Sequence, residues 1–203
     1  MIPALVLIAA YLIGGIPFGY LLVRVTTGRD VRASGSGNIG ATNVLRTAGR
    51  GIAIATLLLD AGKAFFAVWL AAVLLNNSPL WCSAAAIAAM LGHAFPIYLK
   101  FKGGKAVASF LGAFLYLTPL PLLAVLIVFI VVVSATRYIS LGSVIAAGTF
   151  PLAVWLILHP ALPVILAAIT AAVLIIARHR ANIVRIRAGS EHVFSVSRRA
   201  GGR

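Results

Sequence analysis

The stretch SGSGNIGATNVLR, residues 34–46, gathers three glycines, two asparagines, two serines, a threonine and an arginine into thirteen positions. Gly35, Gly37 and Gly40 open backbone conformations closed to other residues and let N–H groups approach a ligand closely. Successive N–H groups turned to one side make an anion-binding nest. Ser36, Asn38, Thr42 and Asn43 add neutral hydrogen-bonding groups, and Arg46 adds a planar fork for phosphate or carboxylate. The same composition also suits a flexible loop that caps the next helix, so its chemistry depends on what accompanies it.

A second polar segment, GHAFPIYLKFKGGKAVA at 92–108, places His93 ahead of Gly103, Gly104 and Lys105, with an apolar run behind them. A glycine loop meeting a helix N-terminus suits a phosphate. It is not a Walker A loop, because Leu99 stands where the first glycine is needed and Ala106 follows the lysine. ATP hydrolysis is therefore disfavoured. The alternative is a snorkelling lysine cluster at a helix end. His93 either lines a site or bonds a backbone carbonyl.

The third segment is ARHRANIVRIRAGSEH, 177–192. As a helix it puts His179 and Asn182 on one face, with Arg178 and Arg185 flanking Asn182. A basic neighbourhood favours neutral imidazole, which can accept a proton. An interfacial basic helix lying on anionic lipid would look similar. Glu191 reads as the ion-pair partner of one of these arginines. In RYISLGS, 137–143, Ser140 and Ser143 are either substrate ligands or helix caps. Asp60 and Lys63, three apart in an apolar run, read equally as functional intramembrane charges or as a structural strut.

These groups are carried by a chain that is 62% hydrophobic and 10% charged, with a mean hydropathy of +1.09. A soluble domain is about half apolar and a quarter charged, so the excess faces lipid. Seven apolar segments are expected to be helices: roughly 2–23, 51–75, 80–99, 106–117, 122–135, 144–158 and 164–177. Several fall short of the ~20 residues of a spanning helix, so their ends extend into the loops or the protein is locally thin. Residues 1–23 read as a first span and not as a cleaved leader. The whole chain, 1–203, reads as a single all-α membrane domain with a basic tail from about 192.

The 17 lysines and arginines stand against 3 acidic residues. All but Lys63 fall in every second connection or the C-terminal tail, which the positive-inside rule places in the cytoplasm, with the N-terminus outside. Basic charge distributed in this way fits anionic headgroups or a phosphorylated substrate and not nucleic acid. No cluster has metal-ligand spacing and no cofactor is expected. Cys82 is the single cysteine, which rules out an internal disulfide and a cysteine metal cluster.

Together, SGSGNIGATNVLR, GHAFPIYLKFKGGKAVA and RHRANIVRIRAGSE resemble the bacterial acyl-phosphate:glycerol-3-phosphate acyltransferase family. LLLDAGKA and RYISLGS are also similar. The motifs run in the family's order over most of the chain, although GGK alone would be weak. The resemblance implies a seven-helix fold with its motifs on the cytoplasmic face of the bacterial inner membrane. It implies transfer of a fatty acyl group from acyl phosphate to the 1-hydroxyl of glycerol 3-phosphate, giving lysophosphatidic acid and phosphate in phospholipid synthesis.

The resemblance further implies that Ser36 and Arg46 occupy catalytic positions. Gly103, Gly104 and Lys105 bind glycerol 3-phosphate, His179 and Asn182 sit at activity positions, and Glu191 is structural. The remaining candidates for substrate contact are Gly37, Asn38, Gly40, Thr42, Asn43, His93 and Ser143. Either His179 or a substrate phosphate oxygen takes the proton. The tail beyond Glu191 is richer in arginine than the family pattern. A transporter for an organic phosphate is the competing class. It would need polar residues reaching the outer face, and the outer connections NNSP, TPLP and HPALP offer few.

Overall fold

The computed structural model describes residues 1–194, so most of the tail expected from about 192 lies outside the described residues. The first apolar segment is two helices, α1 (Ile2–Gly15) and α2 (Phe18–Thr27). Pro17 supplies no N–H to an intrahelical bond, which accounts for the break. A short helix, α3 (Ala41–Thr47), follows the glycine-rich loop. Then come α4 (Arg50–Leu74), α5 (Pro79–Ala94), α6 (Val107–Leu117), α7 (Pro119–Thr136), α8 (Ile139–Leu158), α9 (Leu162–Arg178) and α10 (Arg180–Arg187). Each of the seven apolar segments thus contains a helix.

Among the described residues, five helices are long and apolar enough to cross a membrane, counting α1 and α2 together, and six if α9 and α10 form one span bent by 55°. Helix α6 has 11 residues and is ~16 Å long, about half a hydrocarbon core. Of the seven expected transmembrane helices, five or six are thus long enough to span by themselves, and α6 is one of the short ones that the sequence foreshadows.

Helix faces meet through small residues. Ala64, Ala67 and Ala71 of α4 and Ala85, Ala86 and Ala89 of α5 are buried, while leucines and isoleucines such as Leu58, Ile127 and Leu166 point outward. This is how helices associate where lipid removes the hydrophobic drive and close backbone packing must supply the attraction. A Cβ on Gly14 would collide with the backbone of Ala89, one on Gly92 with the carbonyl of Tyr11, and one on Gly112 with the carbonyl of Ala61. Those contacts press α1 against α5 and α4 against α6. Tyr11 seals the first pair by donating to the Phe95 carbonyl at 2.6 Å. Phe110 and Phe114 each pack edge to face against Phe150 with centroids 4.7 Å apart and meet each other tilted at 5.1 Å, filling the space between α6 and α8.

Candidate active site

The loop leading to α3 is folded around Asn43. Its Oδ1 accepts from the Ser36 N–H at 2.8 Å, and its Nδ2 donates toward the carbonyls of Val31, Ser34 and Asn38 at 2.8–3.1 Å. Gly35 has φ +62, and a Cβ there would collide with Asn43 Oδ1. The side chain of Asn43, 2% exposed, is thus committed to the loop's own backbone. Asn38 in turn accepts from the Gly40 N–H at 2.9 Å. This scaffold presents Ser36, Asn38, Gly40, Thr42 and Arg46 to a large cavity.

The link between α5 and α6 is irregular and penetrates the helix assembly. Lys100, Phe101 and Ala106 take left-handed backbone angles of φ 52, 62 and 62, a strained state for non-glycine residues that its surroundings must enforce. Local bonds hold the first two, from the Lys100 N–H to the Ile97 carbonyl at 3.2 Å and from the Phe101 N–H to the Pro96 carbonyl at 2.9 Å, and the two glycines between them and Ala106 are clamped from outside the link. Arg178 donates from Nη2 to the Gly103 carbonyl and from Nε to the Gly104 carbonyl, both at 3.0 Å. Gly104 N–H donates to the His93 carbonyl at 3.0 Å. Lys105 then faces the cavity, and no side chain caps the N-terminus of α6 behind it. Burial lowers the Lys105 pKa to about 8, with Glu191 opposing and Arg185, Arg46 and Arg178 reinforcing.

Beneath this link lies a buried network. Lys63 Nζ donates to Asp60 Oδ1 and to the Ile16 carbonyl, each at 2.6 Å, and lies 3.1 Å from His93 Nδ1. Ile16 is the residue at the α1–α2 break. The strut reading of Asp60 and Lys63 has a concrete form here: the pair holds the kink that aims α2 at the loop of residues 28–40. Asp60 and His93 also line the cavity.

At the break between α9 and α10, His179 Nδ1 lies 2.8 Å from the Ile175 carbonyl. A carbonyl oxygen only accepts, so Nδ1 carries the proton and Nε2 of the neutral ring keeps its lone pair. One turn on, Asn182 Nδ2 donates to Glu191 Oε1 at 2.7 Å. Ser140 Oγ donates to the same oxygen at 3.0 Å, and Arg185 Nε to Oε2 at 2.8 Å. Burial pushes the Glu191 pKa up, but these three hydrogen bonds outweigh it and hold the carboxyl below its usual range. Glu191 therefore ties α8 and α10 together. Ser143, one turn below Ser140, donates to the Ile139 carbonyl at 2.9 Å.

All of these elements surround one cavity of about 1080 Å³. Of the residues singled out in the sequence, it is lined by Ser36, Asn38, Gly40, Thr42, Asn43 and Arg46 from the first motif. From the rest of the chain come His93, Lys105, Ser143, His179 and Asn182. Gly37, with φ +68, shapes the loop, and Gly103 and Gly104 seat the link against α5 and Arg178; these three do not line the cavity. Sequence reading missed the clamp from Arg178 onto two glycine carbonyls and the bond from Ser140 to Glu191. Neither leaves a local signature, because the partners are 74 and 51 positions apart. Leu111 and Phe129 give the same cavity an apolar wall. Cationic and amide groups beside an apolar wall among apolar helices define a membrane protein that handles an amphiphile with an anionic head.

The sequence profile of the glycerol-3-phosphate acyltransferase family matches residues 4–189. A glycerol-3-phosphate acyltransferase of Geobacter sulfurreducens is 50% identical over 195 residues, 96% of this chain and 99% of that one. A second, from Geotalea daltonii, is 45% identical over 93% of this chain and 95% of its own length. Among solved structures, the integral membrane glycerol 3-phosphate acyltransferase PlsY in its glycerol 3-phosphate form superposes with a TM-score of 0.90. It is 35% identical and 96% of each chain is covered. Its lysophosphatidic acid form gives 0.88 at 33% identity, again with 96% of each chain covered. The chain belongs to the glycerol-3-phosphate acyltransferase family, and its fold is that of a multi-pass integral membrane protein.

Proposed function

We propose that the protein transfers a fatty acyl group from acyl phosphate to the 1-hydroxyl of glycerol 3-phosphate, releasing lysophosphatidic acid and inorganic phosphate. The observation that carries this reading is the shared cavity: three polar segments far apart in the sequence meet around it, the cations Arg46, Arg50 and Lys105 line it, and an apolar wall adjoins it. The relatives named for glycerol 3-phosphate acyl transfer have the same fold at full length.

The chemistry asks for little more than this arrangement. Acyl phosphate is a mixed anhydride with phosphate as leaving group, so attack by the hydroxyl oxygen on the acyl carbon needs no covalent enzyme intermediate. The main requirement is that two anionic reactants be held together with the hydroxyl aimed at the carbonyl. Lys105 and Arg46 neutralise the phosphates. Ser36, Asn182 and the loop N–H groups stabilise the developing oxyanion. The hydroxyl proton has two acceptors, His179 Nε2 and a phosphate oxygen. A His179→Gln variant that keeps most of its kcat would assign the proton to phosphate.

The motif-bearing end lies in the cytoplasm of the bacterial inner membrane, with the N-terminus outside, because the basic connections cluster at that end. Purified protein should convert labelled glycerol 3-phosphate to lysophosphatidic acid with palmitoyl phosphate and not with palmitoyl-CoA, and Lys105→Ala should lose the reaction. Product from neither donor with folded protein would overturn the enzyme reading.

A further inference from the structure

The three protons of an ammonium group find three acceptors around Lys63: Asp60 Oδ1, the Ile16 carbonyl and His93 Nδ1, at 2.6, 2.6 and 3.1 Å. A carboxylate beside the amine keeps it charged, and an ammonium has donors but no acceptor. The Lys63–His93 contact therefore has only one polarity: nitrogen to lone pair. His93 Nδ1 must be unprotonated, and the neutral ring must carry its hydrogen on Nε2.

Nε2 is the ring nitrogen that Lys63 leaves unbound, on a residue that lines the cavity. A Cβ on Gly104 would collide with Nε2, so glycine at that position is what makes room for the imidazole next to Lys105. His93 is 3% exposed and lines the cavity, and its backbone carbonyl already holds the Gly104 N–H.

We propose that Lys63 locks His93 in the Nε2–H tautomer, making His93 a fixed hydrogen-bond donor to an oxygen of a phosphate bound beside Lys105. His93 is then a ligand for the anion and not a base, while Lys63 and Asp60 are positioning residues that act through its tautomer. The same ammonium holds the α1–α2 break, so one buried group fixes the donor and aims the polar loop that faces it. The assignment of the anion rests on the acyl-transfer reading above, and the tautomer itself does not.

The first test is nitrogen NMR of the detergent-solubilised wild-type protein labelled at histidine nitrogens, with the His93 resonances identified by their loss in His93→Gln. Nδ1 should resonate as a lone-pair nitrogen and Nε2 as a protonated one at neutral pH. A protonated Nδ1 would overturn the lock whether or not the protein is an acyltransferase. Lys63→Met, which removes the three donors and keeps the length, should let the ring exchange between tautomers; an unchanged pattern in folded Lys63→Met also overturns it.

The second test adds glycerol 3-phosphate or, separately, a non-reactive acyl phosphonate and follows the Nε2 proton. A shift with one of them identifies which phosphate His93 meets, and no shift with either overturns the ligand role. In kinetics, His93→Gln, whose amide reaches the Nε2 position, should keep the KM of the identified substrate within about 3-fold. His93→Asn, which reaches only Nδ1, should raise it about 10-fold or more, the loss expected for a hydrogen bond to a charged group. Equal losses in the two variants would mean that His93 acts by packing alone.

Discussion

Lys105 reaches the cavity from a strained link, and its lowered pKa of about 8 makes its charge titratable within the range of an assay. The group gives attraction to phosphate only while it holds its proton, so binding is intact below about 8 and fades above it. A phosphate monoester gains its second charge near pH 6. We therefore expect kcat/KM for glycerol 3-phosphate to rise through about 6, level off, and fall above about 8. Lys105→Arg should abolish the alkaline fall, since a guanidinium stays charged there. A fall that persists in Lys105→Arg would assign it to another group. Asn43 makes a different kind of claim at the same scale. Because three carbonyls surround its Nδ2, Asn43→Asp places a carboxylate among acceptors. Activity should drop on the order of 10²-fold, as misplacement of a positioning loop does, with the helical circular dichroism unchanged. Retained activity in Asn43→Asp would show that the loop tolerates a lost anchor. The sequence marked Asn43 as one polar group in a polar stretch, and only the fold shows that its bonds turn inward.

The helices cross where glycine permits it. A Cβ on Gly92 would strike the Tyr11 carbonyl of α1, and backbone cannot swing aside as a side chain can. Gly92→Ala should cost about 1–3 kcal/mol, the range for overpacking, read as a lower midpoint of unfolding in detergent. Gly62→Ala in α4, where nothing lies within 4 Å of the added Cβ, is the control and should be neutral or slightly stabilising. At this scale the apolar runs were legible, because residues that must satisfy their backbone in lipid have little choice but helix. The centres of α4, α5, α8 and α9 fall where hydropathy put them. Two features were not legible. Pro17 signalled a break inside 2–23, yet the unbroken hydropathy masked it. The left-handed turns at Lys100, Phe101 and Ala106 carry no glycine to announce them; the first two close the short turn at Ile97–Leu99 through bonds to the Ile97 and Pro96 carbonyls.

Helix α6 is too short to cross alone, which sets a question for the whole molecule. It begins beside Asp60, whose carbonyl accepts from Ser109 at 3.4 Å, and Asp60 lies ten residues, ~15 Å, along α4. The link at 100–106 therefore delivers the chain to a point about 15 Å along α4 before α6 starts. Irregular backbone within a helix assembly is tolerated where it is buried in protein or lines a polar cavity; here Gly103, Gly104 and Ala106 are buried and Lys105 lines the cavity. We propose that α6 marks a further crossing beyond the six found when α9 and α10 count as one span, giving seven in all, an odd number that would place the two termini on opposite sides. This yields a topology test in a Cys82→Ser background with single cysteines at exposed positions. An impermeant maleimide applied to intact spheroplasts should label Asn77→Cys and Ala161→Cys. Lys102→Cys and Arg187→Cys should react only after permeabilisation. If Lys102→Cys and Asn77→Cys were labelled from the same side, α5 would not cross. If Lys102→Cys and Ala161→Cys were both labelled from outside, the segment at 100–106 would open to the outer face. The phosphate-binding groups would then face the compartment opposite to the one that the basic connections predict.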